Sequence, residues 1–126
     1  MVLVRIAAGV FLLAHGLVHL LYLADDVHEF SLDRSWLVPA VARRPLALGL
    51  IAATTVAFAI LALAVWGVPG LSAAWPALTV MACLLSMVLI ILFWNTWLVF
   101  GFAIDIVLLA VAVIQPGWVG RVLSLS

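Results

Sequence analysis

From Pro76 to Ile114 the chain carries a single charge, Asp105. A helix that crosses a hydrocarbon core of ~30 Å needs about 20 apolar residues at about 1.5 Å each. This run is about twice that length, so it must fold back on itself. The reversal falls at Trp94-Asn95-Thr96-Trp97, polar in its middle and flanked by indoles. It divides the run into spans at about 76–94 and 97–115, the first opened by Trp75-Pro76 and the second closed by Pro116-Gly117. Residues 118–126 then read as a short tail with one charge, Arg121.

The rest of the chain has the same character. Of 126 residues, 70% are hydrophobic and 8% charged, and the mean hydropathy is +1.47. That balance calls for lipid as the solvent. A first span covers about 3–24, and a charged loop follows through Asp25, Asp26, His28, Glu29, Asp33 and Arg34 to Arg43-Arg44-Pro45. Pro45 suits a first helical position, so a second span is expected at about 45–66. Gly67-Val68-Pro69-Gly70 turns the chain into the third. The expected fold is an all-α, integral membrane four-helix bundle forming one domain. The first segment is too long for a signal-peptide core, and Tyr22 sits where a small residue precedes cleavage, so it reads as a retained helix.

Charge excludes some functions. Net charge is zero, with no lysine and five arginines against five carboxylates, so nothing resembles a nucleic-acid patch. Cys83 is the only cysteine, which rules out an internal disulfide. Arg5 and Arg121 stand against Arg34, Arg43 and Arg44, a bias too small to set orientation. Gly49, Ala53 and Ala57 recur every fourth residue, a spacing that permits close helix approach, and are expected to pack within the bundle. Trp66, Trp75, Trp94 and Trp97 bracket predicted loops, while Trp36 and Trp118 lie outside the spans, as indoles at a membrane interface do. Met81, Cys83 and Met87 suggest a soft-metal set, but their spacing suits core packing better.

The chemistry-bearing residues lie within the spans. His15 and His19 are one helical turn apart, and Tyr22 falls on the same face. Ionisable residues at membrane depth usually face the bundle interior and mark a site. Counted inward from the face where the first span ends and the fourth begins, His19 is roughly 8 Å deep and His15 roughly 14 Å. Asp105 and Ser86 come at ~12 Å, and Thr54 and Thr55 near 15 Å. Every span therefore places a polar group near one level. A carboxylate near a helix centre costs about 2.5–3.5 kcal/mol on insertion scales, so Asp105 needs a partner. His15 and His19 are the candidates, because Arg5 belongs near the opposite face.

Several roles suit this set. His15, His19 and Asp105 are candidate catalytic residues, able to bind and deprotonate a lipophilic substrate such as a quinol. The same three are the candidate ligands of a transition metal. Haem is a weaker fit, because two histidines on one helix cannot grip one iron from both sides. Tyr22, Ser86, Thr54 and Thr55 are candidate ligand-binding residues around them. The competing role is structural: imidazoles and a neutral carboxyl bonded across helices, locking the bundle.

Arg5-x3-Gly9, followed by His15-Gly16 and a basic side chain three residues on, resembles the opening of the DoxX-like membrane proteins. In that family the pattern continues His-Gly-x-x-Lys; His19 stands at the lysine position here, and Phe11 is displaced by one from the usual phenylalanine. The match covers about the first twenty residues and the four-span plan. The resemblance implies a small four-helix subunit of a quinone-linked oxidoreductase system in a bacterial cytoplasmic membrane. The expected function is thus a membrane oxidoreductase component with an intramembrane His/Asp site, with a quinone or a transition metal as candidate cofactor. Expected partners are the lipid bilayer and a larger membrane complex or a second copy of the chain. Alternatives are a scaffolding subunit without chemistry and a proton or small-molecule conduit.

Overall fold

The computed structural model describes residues 2–20, 38–93 and 99–123. They form α1 (Val2–Val18), α2 (Ala40–Val65), a 3-10 turn (Ser72–Ala74), α3 (Trp75–Leu92), α4 (Val99–Ile114) and α5 (Gly117–Val122). No strand occurs among the described residues, so the all-α expectation holds. α1 packs on α2, α2 on α3 and α3 on α4, whereas α1 and α4 approach each other far less. Ala40–Val65 and Ser72–Leu92 are long and apolar enough to cross a membrane, while Val2–Val18 and Val99–Ile114 are shorter apolar helices.

The helix ends differ from the sequence expectation in three places, the first being α1, which ends at Val18 and tightens into a 3-10 turn at 19–20 instead of running on to about residue 24. α2 begins at Ala40, five residues before Pro45, with extended Pro39 (ψ 147°) as its N-cap. Pro45 lies inside the helix, where it removes the N–H that would bond the Val41 carbonyl. Val41 is 87% exposed, so its carbonyl can be solvated and the loss is tolerated. Arg43 Nε donates to the Val38 carbonyl at 2.8 Å and ties down the same end. The C-terminal tail also departs from expectation. α4 stops at Ile114 because Gln115 takes a left-handed φ of 50°, and Pro116 then caps α5. Val119, Val122 and Leu123 of this segment are buried.

The turn after α2 follows its glycines. Gly67 and Gly70 have φ of 95° and 84°, values that cost a Cβ-bearing residue about 1–2 kcal/mol. Arg5 of α1 reaches this turn and donates Nε–H to the Val65 carbonyl at 3.3 Å. A cation at the C-terminus of α2 complements the helix dipole, and Arg5 is thereby committed far from Asp105, as depth counting requires.

Small residues seat α2 against α1. A Cβ on Gly9 would lie 2.0 Å from Trp66 Nε1, and one on Gly16 would lie 2.6 Å from Phe58 Cβ. The stripe expected to pack inside the bundle does not do so as a unit. Ala57 is buried, but Ala53 is exposed and nothing lies within 4 Å of a Cβ on Gly49. A four-residue repeat drifts about 40° per step on a helix of 3.6 residues per turn. The buried face instead follows Ala47, Ile51, Thr54, Phe58, Leu61 and Val65. Trp75, expected at an interface, is 9% exposed and belongs to the core, while Met81, expected in the core, is 58% exposed.

Two apolar clusters fill the interior. One contains Leu12, Phe58, Leu61, Cys83, Ala112 and Val119 among its buried members. The other contains Val38, Ala47, Ile51, Leu89, Ile90 and Phe93. Thr54 and Ser86 fall between them in sequence, which sets a polar layer between two greasy ones. α5 contributes to the first cluster, so Val119→Ala should cost about 1–2 kcal/mol, from roughly 0.8 kcal/mol per buried methylene. Thermal unfolding in detergent measures it, and a change near zero would show that α5 does not dock.

Candidate functional site

α1 ends just past His15 and Gly16, so the carbonyls of its last turn lack intrahelical donors. The chain tightens into a 3-10 turn at 19–20, and the His19 ring folds back on that end. Its Nδ1 lies 3.1 Å from the His15 carbonyl and 3.1 Å from the Gly16 carbonyl. Carbonyl oxygens only accept, so Nδ1 carries the proton and donates it. Nε2 of His19 points the other way, 2.6 Å from Ser86 Oγ on α3. Ser86 Oγ in turn is hydrogen-bonded to Asp105 Oδ2 on α4. His15 Nε2 lies 2.7 Å from Asp105 Oδ1. Three helices thus contribute to one chain of contacts: His15, Asp105, Ser86, His19 and the α1 carbonyls.

Proton counting shows what this chain can do. Each of its four links needs one proton between its heavy atoms. In one arrangement His15 donates Nε2–H to an Asp105 carboxylate, Ser86 donates to the same carboxylate, and a doubly protonated His19 donates to Ser86 and to the carbonyls. In the other, Asp105 is a neutral acid that donates to Ser86, Ser86 donates to His19 Nε2, and His19 is neutral. Both arrangements carry the same net charge and satisfy every link. They interconvert by moving two protons through the Ser86 hydroxyl. Asp105 and Ser86 are fully buried and His19 is 1% exposed, so no water competes for these links. The His15–Asp105 contact predicted from insertion cost is therefore present, while Asp105 meets His19 only through Ser86.

Aromatic rings wall the site. Phe58 of α2 packs edge-on to His15 at a centroid distance of 4.9 Å and stacks with His19 at 6.1 Å. Phe11 lies parallel to the His15 ring at 6.4 Å. Gly101 of α4 faces the His15 Cε1 edge, where an added Cβ would sit 3.5 Å away. Phe58, Phe11 and Gly101 join the site without any sequence feature among those above pointing to them. Gly101 was findable, because it precedes Asp105 by one helical turn and shares its face; Phe58 looks like any core phenylalanine.

The other expected residues divide. Thr54 is fully buried, and its Oγ1 has no hydrogen-bond partner among the described residues. Thr55 Oγ1 donates to the Gly16 carbonyl at 3.5 Å, at the rim of the α1 end. Tyr22, His28, the loop acids Asp25, Asp26, Glu29 and Asp33, and the Trp94–Trp97 reversal lie outside the described residues. The metal set His15, His19 and Asp105 is not assembled. Two ligand atoms at about 2.0–2.1 Å from a tetrahedral ion stand roughly 3.4 Å apart, whereas His15 and Asp105 touch directly at 2.7 Å. The Ser86 hydroxyl separates His19 from the carboxylate. No three His, Cys, Asp or Glu side chains among the described residues are placed to hold an ion. Cys83 is buried in the core and Met81 faces outward, so the soft-metal trio does not converge either.

The site is thus a buried, hydroxyl-bridged carboxyl–imidazole network able to hold a proton in alternative places. No family model matches this chain, and no curated protein or solved structure does either.

Proposed function

We propose that this is an integral membrane four-helix protein, a small component of a quinone-linked oxidoreductase system, whose His15–Asp105–Ser86–His19 network exchanges a proton with a lipophilic hydroquinone. The observation that carries the proposal is the continuous network itself. A structural lock needs one or two satisfied bonds, whereas this set links one imidazole to the carboxyl directly and the other through a hydroxyl, with both links at Ser86 reversible. The inside-out distribution of polarity supports a lipid solvent. Leu3, Val56, Met81, Phe100 and Val107 are exposed, while His15, Thr54, Ser86 and Asp105 are buried. Water would penalise so much outward apolar surface; lipid would penalise the polar groups and drive them inward. The resemblance of Arg5, Gly9, His15 and Gly16 to the DoxX-like opening points to the quinone-linked setting.

The chemical step assigned to this chain is a proton transfer only. The hydroquinone O–H gives its proton to the imidazole of His15, leaving a hydroquinone anion, and the Asp105 carboxyl group balances the imidazolium. Two measurements test this. Alkaline carbonate should leave the protein in the membrane pellet; release to the supernatant would end the membrane reading. The detergent-purified protein should bind a decyl-tailed hydroquinone saturably, and Asp105→Asn should weaken that binding at least tenfold without unfolding the chain. No saturable binding by the native protein would refute the proposal.

A further inference from the structure

We infer that the network is open only at His15 and closed at His19, so that a hydroquinone head meets the protein in the notch between Phe11 and Gly101. This placement rests on the proton-exchange reading above. At the His19 end, Nδ1–H is held by the His15 and Gly16 carbonyls. An amide carbonyl accepts a hydrogen bond but does not take up and pass on a proton, so nothing leaves by that route. At the other end, His15 uses only Nε2 within the network, and its Nδ1 has no hydrogen-bond partner among the described residues. His15 is also the most exposed member of the set, at 5%, against 1% for His19 and none for Asp105 and Ser86.

The surroundings of His15 suit a ring with a hydroxyl. Phe11, 48% exposed, offers a parallel aromatic lip, and Gly101 adds no side chain of its own over the imidazole edge, Ile90 Cδ1 being the next atom beside it. α1 and α4, which carry the two lips, pack far less on each other than on their neighbours α2 and α3. Leu12, one turn from His15 on α1, and Leu108, one turn past Asp105 on α4, line an apolar cavity of about 120 Å³ that also touches Trp118 and Val119 of α5. The hydroquinone head at His15 and the first carbons of its tail in this cavity account for both features. A hydroquinone hydroxyl donates to Nδ1, and the proton it yields stays in the network until it returns by the same atom.

The test uses the full chain in detergent with 15N-labelled histidine, titrated with tail-less tetramethylhydroquinone. Binding should shift the His15 ring resonances and leave the His19 Nδ1–H resonance in place. Gly101→Val, which covers the imidazole edge, should weaken binding at least tenfold with the unliganded His19 Nδ1–H resonance unchanged, whereas Gly101→Ala, with its Cβ at ordinary contact distance, should bind nearly as well as native. Equal binding by a natively folded Gly101→Val would overturn the placement and leave the proton-exchange reading standing. No binding by native protein to either the tail-less or the decyl-tailed compound would overturn both. If Gly101→Val loses the native resonances, Phe11→Ala on the opposite lip carries the same test, with weaker binding expected. In vesicles the protein should dissipate a pH gradient no faster than empty vesicles do. A protein-dependent flux abolished by His19→Gln would refute the closed end.

Discussion

Asp105→Asn is expected to melt within about 1 kcal/mol of native, and Asp105→Leu to lose about 2–6 kcal/mol. The asymmetry follows from the links. An Asn side chain accepts from His15 Nε2–H through its carbonyl and donates from its amide to Ser86 Oγ, while Ser86 donates to His19 Nε2. Every link of the neutral arrangement survives, but the two-proton shift cannot occur, because the amide does not give up its proton. Leucine leaves His15 Nε2–H buried without an acceptor, a cost of about 1–3 kcal/mol. It also forces a larger side chain into a fully buried position, worth about 1–3 kcal/mol of overpacking. Unfolding in detergent measures both variants. If Asn retains both stability and hydroquinone binding, the network only locks the bundle. If Leu is as stable as native, the carboxyl is not paired as described.

Ser86→Ala separates the two halves of the network. His15 keeps Asp105, but His19 Nε2 loses its partner 2.6 Å away. Isotope-edited infrared difference spectra should then show the Asp105 carboxyl unaffected by His19→Gln in the Ser86→Ala background, although it responds in the native protein. A response of equal size in both backgrounds would mean that the hydroxyl is not the link.

The polar layer was legible because ionisable residues are scarce in an apolar chain, and depth by helical rise is a count that survives small errors in helix ends. His15, Asp105 and Ser86 were placed on one level by that count alone. Their order was not legible. Helical spacing says that His15 and His19 share a face, but it cannot say which one reaches the carboxyl directly, since that depends on rotamers. His19 turned back to cap the α1 carbonyls because the helix ends there, a boundary that sequence placed six residues later. The same weakness misplaced the start of α2: Pro45 has the credentials of a first helical residue, yet extended Pro39 serves as an earlier N-cap and Ala40 to Arg44 can extend the helix. α5 was hidden by its length, six residues being too few to show a periodic pattern. The small-residue stripe on α2 failed because a four-residue repeat and a 3.6-residue helix part company over a few turns.

The two glycines of α1 should behave oppositely under rescue, although both seat an aromatic ring, Phe58 from α2 and Trp66 from the residue that caps it. Gly9→Ala places a Cβ against the indole of Trp66, nearest to Nε1 at 2.0 Å. Trp66 is 38% exposed and held to α1 by one bond, Nε1–H to the Ile6 carbonyl at 3.3 Å. Its ring can swing outward, so Gly9→Ala should cost about 1 kcal/mol, the scale of one hydrogen bond, and Trp66→Leu should remove that clash. Gly16→Ala meets Phe58 at its Cβ, 2.6 Å away, an atom fixed by the α2 backbone. Overpacking of this kind costs about 1–3 kcal/mol or more, because only separation of α1 from α2 relieves it. Phe58→Ala keeps that Cβ and therefore should not rescue Gly16→Ala. It should instead add its own loss of about 3–5 kcal/mol for a buried phenylalanine, and it should loosen both imidazoles that the ring supports. Thermal unfolding of the four single variants and two double variants decides the matter. Rescue of Gly16→Ala by Phe58→Ala would show that the helices are not in contact at the backbone there. The seat of the His15–His19 pair would then have to be sought elsewhere.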